Sequence, residues 1–548
     1  MKTKILICAF ALVVSAGFVG KGILSDVLVK TPEEYSDSFE AALGIEIDCE
    51  SEYEAVLSKA EALAGANEDL VQGFNAASDI NVTSYDGLVD TDGDWSAALI
   101  QAEKDAASQG KDLFFPAGEY KLTGYMIKVS GVSWHGEGQE SVLFVGDDFH
   151  SDTSIEGDNN YVIRTHSDAS APASFELYDM CFEHRVTSAA GFSMSGLFLV
   201  EYTDGVSLHN AYVKFAEGAE AQKTRVFDFK SGNCNTTFRN NTITGSNGGI
   251  GFRNFAKNSC TNMVAEYNRI IRSSGSVDEG IWVCANVGPI KGVTIRGNVI
   301  STKSSDGMLA SGIYVVQADS YTKLNDNHVS NVLIEDNVIR SDSIMYYGIN
   351  VGTYIDGFPD VEGVVIRNNT IYGRGSKDYT SSGIRVAHTN GSTVQGNRVF
   401  GAFNSFVEGG EQVRENELFE WDNSDGIETC GLSYCYNSVD NTVSVSQIGV
   451  KNVDILTNNQ IEAPTNYLHT AKDYIMTDNT FYMKGNRGNV LIGAYITGYV
   501  DGFSIPRIHI SGNVFYLNGK QLLGGDSCEL DSEGDNLIIL PDGETSCY

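Results

Sequence analysis

The chain has 548 residues, 42% of them hydrophobic, and a formal net charge of −35. That length and composition suit a globular protein with a large core and argue against a disordered chain. So negative a surface repels phosphate backbones, which argues against nucleic acid as a partner, and an acidic polymer would need a local basic patch or a bridging cation.

The opening string MKTKILICAFALVVSAG joins a Lys-bearing start, a short apolar run and a small-residue cleavage site at Val14-Ser15-Ala16. It reads as a signal peptide over 1–16, which implies a secreted protein, extracellular or periplasmic. The run is too short for a transmembrane span, and no second long apolar segment follows. Residues 17–78 read as an acidic helical segment: Thr31-Pro32-Glu33-Glu34 and Ser51-Glu52-Tyr53-Glu54 are helix-start patterns, and EYEAVLSKAEALAGA has helical period. Nine cysteines follow the leader. Export permits disulfides, and Cys430/Cys435, Cys528/Cys547 and Cys234/Cys260 are the pairs brought near by sequence or by the repeat, although sequence alone cannot assign connectivity. No Cys/His spacing suggests zinc.

Residues 79–145 form a second unit. The string DTDGDWSAALIQAEKDAASQGKDLFFPAGEYKL runs from an Asp/Gly turn into an amphipathic helix, then a strand and a turn. A helix placed there would cover the open end of a stacked sheet. Asp90, Asp92 and Asp94 are oxygen ligands of the kind calcium takes, and calcium is the one cofactor the sequence raises. The plainer role for these three is to make the turn and start the helix.

From about 146 to 525 one phrase recurs: Asn, any residue, an apolar residue, after an extended apolar run. The Asn positions are 241, 268, 298, 337, 369, 397, 416, 459, 479 and 513, mostly 27 to 40 residues apart. That is the period of a repeat architecture. In GVTIRGNVIS the alternation of Val293 and Ile295 with Thr294 and Arg296 gives one apolar and one wet face. Asn298 then falls at a turn, where Asn tolerates the left-handed conformation, and stacked Asn amides would hydrogen-bond into a ladder. A second phrase, Gly-Ile-x-Val/Phe, interleaves at Gly249, Gly280, Gly312, Gly348 and Gly383. Three short strands per repeat, parallel to their copies above and below, make an all-β, three-sided parallel β-helix (a solenoid). The tail over 526–548 reads as a small cap.

The acidic-Gly segment, the helix, FPAGEY and the strand with HGEG, taken with the repeats, resemble the pectate-lyase-like right-handed parallel β-helix superfamily over roughly 79–525. The superfamily includes polysaccharide lyases, glycoside hydrolases, mannuronan epimerases and phage tailspikes. The resemblance implies the right-handed fold, with a substrate groove on the sheet that corresponds to the Gly-Ile strands. It carries over no catalytic residue, because the short catalytic phrases of its main enzyme groups are absent.

Alternation turns the middle residue of each Gly-Ile strand outward, giving the row Gly251, Trp282, Tyr314, Asn350, Arg385. Residues just past the strand ends add Arg253, Gln317, Asp319, Tyr354, Asp356 and His388. Aromatic faces, amides and a guanidinium suit a sugar chain, so Trp282, Tyr314, Asn350, Gln317 and Arg253 are the expected binding residues. In a lyase acting on a uronate, Arg385 would neutralise the carboxylate and His388 or Tyr354 would remove the proton. In a hydrolase, Asp319 and Asp356 would be the carboxyl pair. The reading taken is a polysaccharide lyase acting on a polysaccharide, acidic in its uronate units. The alternatives are a glycoside hydrolase and a non-catalytic carbohydrate-binding or adhesion protein. His166, His184 and Arg185 are read as structural. The oligomeric state is not legible.

Overall fold

The computed structural model describes residues 73–547 apart from 151–160, 166–169, 188–195, 216–224, 247, 273–278, 303–307, 318–327, 353–359, 422, 464, 469–473, 483–488, 493–506, 517–528, 533–535 and 540–544. Residues 1–16, read as a signal peptide, and nearly all of 17–78, read as an acidic helical segment, therefore lie outside the described residues. Two compact units divide the chain, one of residues 55–437 and one whose described part begins at Ser438.

In the first unit each repeat contributes three strands. Around Asn298 they are Ile290–Arg296 before the Asn turn, Val299–Thr302 after it, and the Gly-Ile strand Met308–Val316. Each pairs in parallel with its own copy in the next repeat. Val293 aligns with Val332 and Ile295 with Ile334 before the turn, and Ile300 aligns with Ile339 after it. Ile313 aligns with Ile349 on the Gly-Ile side. The aligned aliphatic side chains are buried and fill the interior. Three parallel stacks around one apolar interior are the parallel β-helix that the repeats imply. The second unit uses the same rung: Ile455–Thr457, Gln460–Glu462 and Thr465–Leu468 pair in parallel with Tyr474–Thr477, Thr480–Tyr482 and Asn489–Ile492. The parallel register runs on past residue 525 to Leu537–Ile539, and Thr545–Cys547 closes it as an antiparallel strand.

The Asn residues form the expected ladder. Asn298 donates its side-chain Nδ2 to Asn337 Oδ1 at 2.9 Å, and its backbone N–H reaches the same oxygen at 2.9 Å. Asn337 repeats the pattern to Asn369, Asn369 to Asn397 and Asn397 to Asn416. In the second unit the run is Asn441, Asn459, Asn479, Asn513 and Asn536. Asn441 and Asn536, beyond the ten positions given above, also belong to the ladder, and their strings Asn441-Thr442-Val443 and Asn536-Leu537-Ile538 carry the same phrase. One expectation is corrected: the left-handed residue is not the ladder Asn but the residue before it. Positive φ falls at Asn240, Tyr267, Gly297, Asp336, Asn368, Gly396 and Glu415. The turn needs that conformation one step earlier, which leaves the ladder Asn free to aim its amide inward.

The glycines of the second phrase are required by close approach. A Cβ at Gly280 would sit 2.7 Å from Gly312 O and 2.7 Å from Ile300 Cγ2, and one at Gly312 would sit 2.7 Å from Gly348 O. No side chain fits where those strands enter.

The opening helix spans Ser96–Gln109 and buries Ala98, Leu99, Ala102 and Ala106. Its buried Glu103 accepts from Lys128 Nζ at 2.7 Å and from Trp134 Nε1 at 3.0 Å, which pins helix to strands. The acidic turn acts as a turn: Asp90 Oδ1 accepts from the backbone of Asp92 and Asp94, and Asp94 accepts from Ser96 and Thr123. No metal-ligand cluster is present among the described residues.

The cysteine pairings are corrected. Cys234, Cys260, Cys430 and Cys435 are thiols. Cys234 aligns with Thr261, so Cys260 is one residue out of register and turns to the opposite face. Cys430 and Cys435 donate to backbone carbonyls, of Leu432 and Ser433 respectively. Cys528 lies outside the described residues.

Two outcomes follow. Replacing Asn337 with Ala leaves the amide groups of Asn298 without their acceptor in a buried site, and should cost about 3 kcal/mol in urea unfolding. Asn262→Ala, on the exposed side, should cost well under half of that; equal losses would mean that the ladder stabilises nothing. His184 is fully buried and stacks on Phe215, and burial pushes its pKa from 6.5 down to about 4. The folded state thus holds the neutral ring. The stability it keeps above pH 6.5 is lost as pH falls toward 4, by up to about 3 kcal/mol. Unfolding of His184→Leu should lack that part of the acid slope.

Candidate functional site on the Gly-Ile sheet

Strand register places one residue per rung on the outer face of the Gly-Ile sheet. Asp228 aligns with Gly251, Gly251 with Trp282, Trp282 with Tyr314 and Tyr314 with Asn350. Asn350 aligns with Arg385, Arg385 with Glu408 and Glu408 with Ser433. The expected row is therefore continuous, and it extends at both ends by carboxylates that the sequence reading did not include.

The row is more covered than alternation implies. Trp282 is 5% exposed, Asn350 4% and Arg385 3%, while Tyr314 is half-buried. Side chains stacked at the rung spacing of about 4.8 Å cover one another. Trp282 packs with Cys284, Val316 and Tyr314 in a small apolar cluster on this outer face.

Two charged groups flank that cluster. At one end Arg253 forks onto Asp228. Its Nε donates to Oδ1 at 2.8 Å and its Nη2 to Oδ2, and Tyr161 donates its hydroxyl to Oδ2 at 2.7 Å. The same guanidinium lies 5.3 Å from the Trp282 ring and 5.0 Å from the Phe255 ring. Glu201 stands nearby, and burial raises its carboxyl above the usual range. Lys230, Arg253 and Arg164 pull it back down, and the Asp228 charge adds to the rise. At the other end Arg385 donates Nη1 to Asn350 Oδ1 at 3.1 Å, and its Nε lies 3.7 Å from Glu408 Oε1. Ser382 donates its hydroxyl to Glu408 Oε2 at 2.6 Å. The Glu408 side chain keeps 21% of its surface open, so this carboxylate can meet a ligand.

Of the remaining expected residues, Gln317 is fully buried and donates Nε2 to His388 O at 3.4 Å. His388 is exposed and holds a left-handed backbone with φ of 49°. Its carbonyl also accepts from Val361 N, so its backbone makes the corner. Asp319, Tyr354 and Asp356 lie outside the described residues. Asp228 and Glu408 escape a search for the Gly-Ile phrase because their strands read VFDFK and SFVEG. Period-two alternation within those strings was the usable signal.

No family model matches the chain, and no curated protein matches it. Solved structures do. The surface protein and adhesin PfbA of Streptococcus pneumoniae is 14% identical, with 66% of this chain and 97% of that one covered and a TM-score of 0.42. The catalytic unit of a GH87 α-1,3-glucanase from Streptomyces thermodiastaticus is 16% identical over 84% and 71%, with a TM-score of 0.38. The A-module of the Azotobacter vinelandii mannuronan C-5 epimerase AlgE6 is 15% identical over 82% and 98%, with a TM-score of 0.31. Likeness at this level speaks to no activity, and the β-helix stands on its own strand register.

The buried Asp228–Arg253 fork sets a testable cost. Asp228→Asn leaves the guanidinium buried without its counter-charge and should destabilise the chain by about 3 to 5 kcal/mol in urea. A loss below about 1 kcal/mol would mean that solvent reaches the pair.

Proposed function

We propose that this chain is an exported protein that binds a polysaccharide along the outer face of the Gly-Ile sheet and cleaves it by hydrolysis near Arg385 and Glu408. The observation that carries this reading is the run Tyr314–Asn350–Arg385–Glu408 on consecutive rungs, an aromatic, an amide, a guanidinium and a partly open carboxylate in one line. Tyr314 offers a flat apolar surface with a polar tip, and the open part of Glu408 can accept from a sugar hydroxyl. Glu408 is the carboxylate that would act as base or nucleophile, with Arg385 and Ser382 holding its two oxygens in place. Asp319 and Asp356, which follow neighbouring Gly-Ile strands in the sequence, are the candidates for the partner acid.

A second reading, β-elimination on a uronate, is favoured by the guanidinium of Arg385 on this face of an otherwise acidic chain. Arg385 would then neutralise the sugar carboxylate, with His388 or Tyr354 as the base. It is the weaker of the two because a sugar carboxylate would first have to displace Glu408.

Incubation with a broad polysaccharide panel separates the readings. Hydrolysis releases reducing ends without ultraviolet absorbance; elimination releases products that absorb as unsaturated uronates. Glu408→Gln should lower the hydrolytic rate at least about 100-fold, and Arg385→Ala should weaken sugar binding. Unchanged rate and affinity in both variants would remove the site from this face. Binding without either product would make the chain a binding or adhesion protein.

A further inference from the structure

Two large rings stand in solvent at the edge where chain enters the Gly-Ile sheet. Tyr379 is 57% exposed and Trp421 51%. Tyr379 lies in the connection between Thr370–Arg374 and Ser382–Val386. Trp421 lies in the connection between Glu417–Glu420 and Cys430–Ser433. The rung between them turns on Phe403 and Asn404 alone.

Specific contacts hold both connections. Asn404 Oδ1 accepts from Ser381 N and Ser381 Oγ, each at 3.0 Å, and Asn404 Nδ2 donates to Glu428 O at 3.3 Å. Arg374, at the start of the first connection, pairs with Asp425 in the second and donates to Ser424 Oγ at 3.2 Å. Within the second, Glu420 accepts from Asn423 and Thr429, and Asn423 bonds both ways with Ile427. Tyr346 braces Tyr379 edge-on, with ring centroids 5.3 Å apart and planes at 72°. Both rings thus stand exposed on stitched connections that belong to rungs two apart, about 10 Å along the stack.

We propose that Tyr379 and Trp421 form a second glycan-binding platform, stacking on pyranose faces and extending the chain held at Arg385 and Glu408; this rests on the glycan reading above. A ring with an apolar body fits the C–H face of a sugar. The Arg374–Asp425 pair and Ser424 lie within the same loops to take its hydroxyls. This mix of polar groups with aromatic faces in the same connections suits a sugar polymer. Fixing the loops beforehand lowers the ordering cost of binding.

The test uses the full chain and the polysaccharide panel. Trp421→Ala and Tyr379→Ala should each weaken binding of long oligosaccharides about tenfold, while Trp421→Phe should keep most of it. Of the four tryptophans, Trp134 and Trp282 are buried, Trp95 is partly covered and Trp421 is exposed. Bound oligosaccharide should therefore shield the fluorescence from acrylamide, and Trp421→Phe should remove that shielded component. If Arg385→Ala loses binding while Trp421→Ala and Tyr379→Ala bind as the native chain does, the platform is overturned and the main site stands. If the native chain binds no polysaccharide, both fall.

Discussion

The Asn ladder is the constraint on which the rest depends. Each ladder amide is buried, and from Asn268 to Asn397 each bonds to the Asn of the next rung at 2.9 to 3.0 Å. A strand that slipped by one residue would turn its apolar side chains outward and orphan a buried amide at once. The ladder penalises both errors at the same turn. Because it fixes the rungs, residues separated by 20 to 40 positions in sequence stand one above another on the Gly-Ile sheet, and a row of single residues becomes a surface.

On that surface, electrostatics separates scaffold from site. Asp228 is fully buried, forked by Arg253 and bonded by Tyr161. Burying such a pair costs desolvation of both charges, which good geometry and extra hydrogen bonds offset. Its partners leave Asp228 little capacity for a ligand. Glu408 is held similarly, by Arg385 and Ser382, yet keeps part of its surface open. The difference in exposure is why the chemistry is placed at Glu408 and a structural part is given to the Asp228 end.

The fold was legible because its signal repeats. Strand period, the Asn turn and the Gly corner recur often enough that no single residue carries the inference. The local conformation at the turn was not legible: Tyr267 and Glu415 adopt the left-handed backbone because the turn demands it there, against the ordinary preference of those residues. At the site, Trp282, Tyr314, Asn350 and Arg385 were legible from alternation next to the Gly-Ile phrase. Asp228 and Glu408 were not, since their strands lack that phrase while still obeying the register. Burial was misjudged for the same row, because alternation says which way a side chain points and nothing about what its neighbours cover. The thiols of Cys234 and Cys260 make a related point, since spacing of about one repeat suggested contact and a one-residue register offset prevents it.

The most direct test of the central claim is the crystal structure of the Glu408→Gln chain with an oligosaccharide selected from the panel. The sugar should lie on the outer face of the Gly-Ile sheet, with its chain across Tyr314, Asn350 and Arg385 and one glycosidic bond beside residue 408. An oligosaccharide bound on either of the other two sheets, with the Gly-Ile face unoccupied, would contradict the account.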